Sequence, residues 1–232
     1  MRRRTKIIAT IGPASASEAT LFALIEAGMD VARLGLAHED LDTHLDRYDR
    51  IRKAAVEADR PVGILVDLPG PKVRAGAFPE GGVDLVEGER MRLTPGYSQS
   101  TAEVVEVGYE RLVNDVEVGD RMLFGDGALV IEVVDKTASD LVATVCHGGR
   151  VQGRPGVHIP SDRLRIASPT PDALRMLDAF VERGFDMVAI SFVRSAHDIR
   201  RVGTEPHPAG PMVIGKIETR AAVENLDGII EE

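Results

Sequence analysis

The stretch MVIGKIE at residues 212–218 is short, apolar and rich in β-branched residues, and it ends with a lysine and a glutamate two positions apart. This composition is typical of a buried parallel strand, in which residues i and i+2 point to the same face. Lys216 and Glu218 would then project together from the carboxyl end of the strand, the end that carries the functional groups in α/β barrels. An ammonium beside a carboxylate can bind a phosphorylated acid and the divalent metal that bridges it. The alternative is a structural ion pair at the end of a strand.

Four further apolar stretches resemble this one, and helical patterns separate them along the chain. The strands are predicted at residues 6–12, 30–37, 61–67 and 185–191. The helices are predicted at residues 18–27, 38–58, 171–181 (capped by Thr170), 195–202 and 219–232. Strands that alternate with helices of this length form βαβ units with a parallel sheet. The sequence therefore predicts an α/β fold of the TIM type, with about five of the eight βα units of a closed (β/α) barrel.

Residues 72–164 follow a different pattern, without a convincing helix. Short runs that alternate apolar and polar residues, such as residues 129–134 and 141–145, are separated by glycine and charged turns. This pattern predicts a small all-β barrel domain inserted in the α/β chain. We therefore predict the first part of the (β/α) barrel at residues 1–70, the inserted domain at residues 71–167, and the incomplete continuation of the barrel at residues 168–232.

Composition and charge exclude several classes of function. The chain has 232 residues, of which 44% are hydrophobic, and its net charge of −9 argues against nucleic acid or an anionic membrane as a general partner. No apolar segment approaches the length of a membrane span. The single cysteine, Cys146, excludes an intrachain disulfide and favours a reducing, cytoplasmic location.

Seven stretches carry a resemblance to a known family. In chain order they read TKIIATIGPAS, MDVARLGLAH, ILVDLPGPKVRAG, GDRMLFGDG, GRPGVHIP, FDMVAISFVR and VIGKIETRAAVENLDGIIEE. Their order, their spacing and the inserted β-domain resemble the N-terminal part of pyruvate kinases, from Thr5 to Glu232. The resemblance implies a (β/α) barrel with a mobile lid domain. It also implies the glycolytic transfer of a phosphoryl group from phosphoenolpyruvate to ADP, with Mg²⁺ or Mn²⁺ as the cofactor.

The resemblance also implies roles for individual residues. Lys216 would stabilise the transferring phosphoryl group and the enolate oxygen, Arg33 would hold the substrate phosphate, and Glu218 would be a metal ligand. The other matching positions are Asp67 and Lys72 in the monovalent-cation region, His38 and Arg74 on the nucleotide side, and Asp126 in the lid.

Each of these residues also has a structural alternative. Arg33 and Asp67 could form an ion pair, and His38 could cap its helix. The remaining alternatives are a solvated hinge charge for Lys72 and for Arg74, and a hairpin turn for Asp126 in Gly-Asp-Gly.

The sequence departs from the family pattern on the monovalent-cation side. Gly35 and Ala37 stand where the family has asparagine and serine ligands, and Leu68 stands where many members have a threonine ligand. Glycine and alanine offer no side-chain oxygen, which argues against a K⁺ site. Lys72 stands where potassium-dependent members have a glutamate, and its ammonium would supply the missing charge. We therefore expect an activity that depends on Mg²⁺ and not on K⁺.

Two further departures bear on the expected partners. Pro155 replaces a lysine that the family associates with nucleotide phosphates, which leaves Arg154 as the nearest cation. The family continues with a segment that holds a second metal carboxylate and lies beyond residue 232, so we expect a homo-oligomer or a missing C-terminal part. Two alternatives to the kinase remain open: an enolate-handling lyase or aldolase on a related barrel, and a truncated, non-catalytic binding or regulatory homologue.

Overall fold

The computed structural model describes residues 4–125, 127, 129–160 and 163–232, and the chain divides into two compact units. The first unit comprises the residues up to Pro71 together with Ile166–Glu232, and the second comprises Lys72–Arg165. In chain order the elements are β1 (Ile8–Thr10), α1 (Glu18–Ala27), β2 (Val31–Gly35), α2 (Leu41–Glu57), β3 (Gly63–Leu68), β4 (Val83–Leu85), β5 (Arg90–Pro95), β6 (Val104–Val107), α3 (Leu112–Asp115), β7 (Arg121–Phe124), β8 (Leu129–Lys136), β9 (Leu141–His147), β10 (Gly149–Val151), β11 (Val157–His158), α4 (Pro171–Val181), β12 (Met187–Ile190), α5 (Ala196–Arg200), β13 (Met212–Gly215), α6 (Arg220–Glu224) and α7 (Leu226–Glu231).

The first unit is built on a five-stranded parallel sheet. Its strand order is β1-β2-β3-β12-β13, so the pairing of β3 with β12 joins two distant parts of the chain. Helices cover the sheet with apolar side chains that are fully or almost fully buried, among them Leu21 of α1, Ile51 of α2 and Phe180 of α4. The rings of Tyr48 and Phe180 meet edge to face with their centroids 6.0 Å apart. An α/β arrangement of this kind places the carboxyl ends of the five strands along one edge.

Polar side chains determine where the helices of this unit begin. Ser17, Asp40, Thr170 and Thr219 each accept a hydrogen bond from a backbone N–H in the first turn of the following helix. Asp40 accepts from the N–H of Thr43 at 2.8 Å, so α2 begins at residue 41. The predicted start at residue 38 is therefore wrong, and the alternative role of His38 as a helix cap is wrong too.

Two further differences from the predicted boundaries bear on the carboxyl edge of the sheet and the helix after it. β13 ends at Gly215 and not at residue 218, because the chain leaves the sheet where Glu218 and Thr219 bind the segment that follows β12. The predicted helix at residues 219–232 is broken at Asn225 into α6 and α7. The side-chain amide of Asn225 donates to the carbonyl oxygen of Arg194 at 3.1 Å, and this contact fixes the break.

The second unit is built almost wholly from β-strands. A six-stranded sheet has the order β11-β7-β8-β9-β5-β6, and β4 pairs separately with β10. Strand β8 shows why these residues form a sheet, because Leu129, Ile131 and Val133 are buried while the residues between them are less so. The one-turn helix α3 lies within the region for which no helix is predicted, and its Leu112 is fully buried.

None of the described helices is both long enough and apolar enough to cross a membrane.

Candidate functional site

Four of the predicted site residues meet at the carboxyl edge of the parallel sheet in the first unit. Arg33 is the central residue of the short strand β2, Asp67 lies near the end of β3, and Lys216 and Glu218 follow β13. The register aligns Gly35 with Asp67 across the β2–β3 pair. The strand ends therefore bring together residues that are far apart in the sequence.

Small residues flank Asp67 on both neighbouring strands. Gly35 is its neighbour on β2 and Ala189 is its neighbour on β12. A Cβ atom at Gly35 would lie 3.7 Å from both terminal nitrogens of Arg33, so the guanidinium lies over this glycine. Lys216 reaches Asp67 past β12, where Ala189 offers only a methyl group.

Arg33 is fixed by three hydrogen bonds. Its Nε and Nη2 donate to Oδ2 of Asp67 at 2.8 and 2.5 Å, and its Nη1 donates to the Thr10 hydroxyl at 2.9 Å. These bonds leave the second hydrogen of each terminal nitrogen for a ligand. The Arg33 side chain is 36% exposed, so that part of the guanidinium can be reached from solvent.

Lys216 lies between two carboxylates. Its Nζ is 3.2 Å from Oδ1 of Asp67 and 3.6 Å from Oε1 of Glu218. Glu218 accepts the backbone N–H of Phe192 at its other oxygen, Oε2, at 2.9 Å. Thr10, Arg33, Asp67, Lys216 and Glu218 therefore form one continuous chain of polar contacts.

Asp67 is the most buried of these five residues, with only 5% of its side chain exposed. Its Oδ2 takes both bonds from Arg33, whereas its Oδ1 makes no hydrogen bond of acceptable geometry even though the Lys216 ammonium is near. Buried polar atoms are normally satisfied in native proteins, and exceptions concentrate at functional sites. The geometry therefore marks this edge of the sheet as the candidate site.

The other predicted site residues that the structure describes are divided between the two units. His38 is exposed in the loop after β2, where its backbone carbonyl contacts Nε2 of His44 at 2.6 Å. Lys72 and Arg74 are exposed residues of the second unit, and Nη1 of Arg74 donates to the carbonyl of Arg154 at 3.0 Å. Asp126 lies outside the described residues.

The pKa of Lys72 is lowered, mainly because neighbouring protein atoms partly desolvate its charged form and also because of the charge on Arg74.

Sequence reasoning missed two groups that contact the site. Thr10 ends β1 and could have been found from its position at a strand end. The backbone N–H of Phe192 has no signal in the sequence, since every residue except proline carries one.

The fit of a divalent metal can be judged from the oxygen atoms that are present. Among the described residues, no three histidine, cysteine, aspartate or glutamate side chains form a group that could hold a metal. Asp67 already faces two cations, which leaves Glu218, 37% exposed, as the accessible carboxylate. Mg²⁺ is often bound through one or two carboxylates and completes its shell with water and substrate phosphate. Glu218 fits that mode of binding as one ligand.

Known proteins resemble this chain over its whole length. The family model described as "Pyruvate kinase, barrel domain" matches residues 2–232. The chain is 39% identical over 234 residues to a pyruvate kinase of Mycobacterium tuberculosis, an alignment that covers 99% of this chain and 49% of the relative. It is 38% identical to a pyruvate kinase of Geobacillus stearothermophilus, covering 100% of this chain and 40% of the relative. The chain thus spans about half the length, or less, of these relatives.

Proposed function

The chain belongs to the pyruvate kinase family, and from this membership we propose that it acts in the transfer of a phosphoryl group from phosphoenolpyruvate to ADP, which yields pyruvate and ATP. The observation that carries the proposal is the convergence of Arg33, Lys216 and Glu218 around the buried Asp67. A reaction that moves a phosphoryl group needs positioned cations at the site where negative charge accumulates.

Arg33 and Lys216 supply the positioned positive charge. The outward N–H groups of Arg33 form a fork that suits the oxygens of a phosphate. Lys216 keeps an ammonium hydrogen beyond its two carboxylate neighbours, and this hydrogen would face the transferring phosphoryl group and the enolate oxygen. Because Asp67 and Glu218 hold these cations before the substrate arrives, little reorganisation is needed during the reaction.

Glu218 would hold the divalent metal, Mg²⁺ or Mn²⁺, together with water and substrate oxygens. When bound, the metal would neutralise part of the negative charge on the phosphoryl group. The contacts from Phe192 and Lys216 restrict the orientation of the Glu218 carboxylate, which is what a metal ligand requires.

An activity independent of K⁺ is the second part of the proposal. Two fixed cations, Arg33 and Lys216, already offset the negative charges of Asp67 and Glu218, and the guanidinium of Arg33 lies over Gly35. Lys72 would supply further positive charge in the monovalent-cation region.

The proposal also assigns roles outside this group. His38 and Arg74 would contact the nucleotide, and Asp126 would act from the lid. The functional form would be a homo-oligomer or a longer polypeptide.

Steady-state formation of pyruvate tests the proposal. The purified chain would receive phosphoenolpyruvate, ADP and Mg²⁺ in buffers that contain either K⁺ or only Na⁺, with Lys216→Met as the inactive control. We expect turnover that requires Lys216 and is the same in both buffers. Turnover that rises strongly with K⁺ would contradict the cation part of the proposal.

Calorimetric binding of phosphoenolpyruvate provides a second readout that needs no turnover. We expect binding that is weakened in Arg33→Met. A folded chain that shows neither binding nor turnover would overturn the proposal. Release of pyruvate from another substrate without ADP would favour a lyase or aldolase.

A further inference from the structure

Phe192 is a strained aromatic residue at the candidate site. It follows β12 and has a φ of 54°, in the left-handed region that residues with a large side chain rarely adopt. Its side chain is also 36% exposed, so burial in the core does not explain this conformation. Such outliers cluster at functional sites, where the surrounding structure holds them in place.

Hydrogen bonds fix the backbone on both sides of Phe192. The Ser191 hydroxyl donates to the carbonyl of Leu68 at 2.6 Å, and the Ser168 hydroxyl donates to the carbonyl of Ser191. On the other side, the Thr219 hydroxyl donates to the carbonyl of Val193 at 2.9 Å. The strained residue is therefore held between two anchored neighbours.

The strained backbone serves one visible purpose. It directs the N–H of Phe192 to Oε2 of Glu218, at 2.9 Å. The other oxygen, Oε1, then lies 3.6 Å from Nζ of Lys216. A hydrogen bond from a neutral donor to an ionised carboxylate is stronger than one between neutral groups, so it can select one orientation of Glu218.

The ring of Phe192 occupies the space over Gly70. A Cβ atom at Gly70 would collide with Cδ2 of the ring and would approach Cε2 at 2.6 Å. Gly70 thus permits the position of the ring. Ring packing is the alternative explanation for the conformation, and an experiment must separate it from the role of the backbone.

We propose that Phe192 is a positioning residue whose left-handed backbone fixes the Glu218 carboxylate in the orientation that binds the divalent cation. The proposal rests on the proposed function, because it takes Glu218 as a metal ligand. Removal of groups that orient a metal ligand typically weakens metal binding by about ten- to a hundredfold.

Two substitutions separate the backbone from the ring. Phe192→Asn removes the ring but keeps a residue that tolerates the left-handed region, whereas Phe192→Val removes the ring and resists that region because it is β-branched. We would measure Mn²⁺ binding to the chain from the electron paramagnetic resonance signal of the free ion. We expect the dissociation constant to rise about tenfold or more for Phe192→Val and less than about threefold for Phe192→Asn.

Equal losses in the two variants would overturn the proposal, since they would assign the effect to the ring. No loss in either variant would overturn it as well. In a Glu218→Gln background, Phe192→Val should add no further loss. Circular dichroism would show that each variant is folded.

Amide hydrogen exchange at residue 192 reads the contact without any metal. We expect the N–H of Phe192 to exchange about tenfold faster in Glu218→Ala, and the N–H of Phe192→Asn to keep the slow rate. If the unsubstituted chain binds no Mn²⁺, the metal role of Glu218 fails, whereas the exchange rates still decide whether residue 192 holds this carboxylate. An unchanged exchange rate in Glu218→Ala would overturn the positioning role.

Discussion

Asp67 of the first unit and Asp115 of the second are both buried aspartates that lie beside two basic side chains. The oxygens of Asp115 are fully used: Oδ2 accepts from the Tyr109 hydroxyl and from Nε of Arg111 at 3.0 Å, and Oδ1 accepts from Nη2 of Arg111 at 3.0 Å. Arg165 lies 3.7 Å away as a second cation. Asp67 instead accepts both of its hydrogen bonds of good geometry at Oδ2 and none at Oδ1.

The difference separates a structural carboxylate from a functional one. A buried polar network that is fully satisfied stabilises a single arrangement, whereas a partly satisfied network loses stability. The cations beside Asp67, Arg33 and Lys216, and those beside Asp115, Arg111 and Arg165, are all partly exposed. Asp115 accepts a further hydrogen bond from the buried Tyr109, and Asp67 has no such third partner of good geometry. Residue type and burial are the same at both positions, so the completeness of hydrogen bonding is what distinguishes them.

The largest expected effect is on catalysis by the Asp67 group. Lys216→Met should lower kcat for pyruvate formation by about a hundred- to a thousandfold, as expected for the loss of one positioned charge at the reacting atoms. Lys53→Met is the matched control, because Lys53 also faces two carboxylates, Glu18 and Glu57, but on an exposed surface. A Lys216→Met variant that keeps most of its turnover would contradict the assignment of the Asp67 group to catalysis.

The next effect is on stability, and it should be larger for the structural carboxylate. Asp115→Asn should lower the free energy of unfolding by about 2 kcal/mol, less than a fully buried ion pair would cost because Arg111 and Arg165 are mostly exposed. Asp67→Asn should cost about 1 kcal/mol, since one of its oxygens makes no hydrogen bond. Urea unfolding measures both values.

Binding should show the opposite order for the same two variants. Only Asp67→Asn should weaken binding of phosphoenolpyruvate, because it releases Arg33 and Lys216. Asp115→Asn with the smaller stability loss, or with the larger binding loss, would reverse the assignment.

The contribution of Asp115 to the free energy of unfolding should depend on pH. The hydrogen bond from Arg111 is the main cause that lowers the pKa of Asp115. Unfolded aspartates titrate near about 3.9, so the stabilisation is present above that pH and is lost as the pH falls through the lower folded pKa. The stability difference between the unsubstituted chain and Asp115→Asn should therefore shrink below about pH 4. Urea unfolding at pH 7 and pH 3 would show this, and a difference that grows in acid would contradict it.

The smallest expected effect concerns Lys72, whose pKa is shifted by desolvation and by a like charge. Partial desolvation by neighbouring protein atoms lowers the pKa of Lys72, and the nearby charge of Arg74 lowers it further. Arg74→Gln should raise the pKa of Lys72 by a small amount, measurable as a ¹³C shift titration of the lysine side chain. Arg154→Gln is the control, because Arg74 contacts the backbone and not the side chain of Arg154. Equal shifts in both variants would show that Arg74 has no special effect.

Local sequence signals predict the elements of the fold better than their ends. The helix predicted at residues 18–27 has those bounds because Ser17 caps its start and Gly28, with a φ of 109°, closes its end. The break at Asn225 is not predictable in this way, since it depends on a carbonyl 31 residues away in the sequence. The start of α2 was missed because three polar residues precede it and only Asp40 has the capping geometry.

The site shows the same division between local and distant signals. The spacing of Lys216 and Glu218 predicts their contact, and they do meet, although beyond the end of the strand. The approach of Lys216 to Asp67 depends on the strand order and on Ala189 between them, neither of which the local pattern reveals. The conformation of Phe192 opposes its intrinsic preference, so propensity argues against it.

The pairing of β3 with β12 has a consequence for how the chain folds. The N–H of Ile64 reaches the carboxylate of Asp186 across 122 residues, and closing so long a loop is slow and entropically costly. Within the second unit, however, the N–H of Val157 donates to the carbonyl of Val73 at 2.9 Å, so the two ends of this unit lie together once it has folded. Early folding of residues 72–165 would shorten the open loop about threefold and lower its closure cost by about 1 kcal/mol. By folding first, the β-rich unit would bring the two sequence segments of the parallel sheet together and speed its assembly.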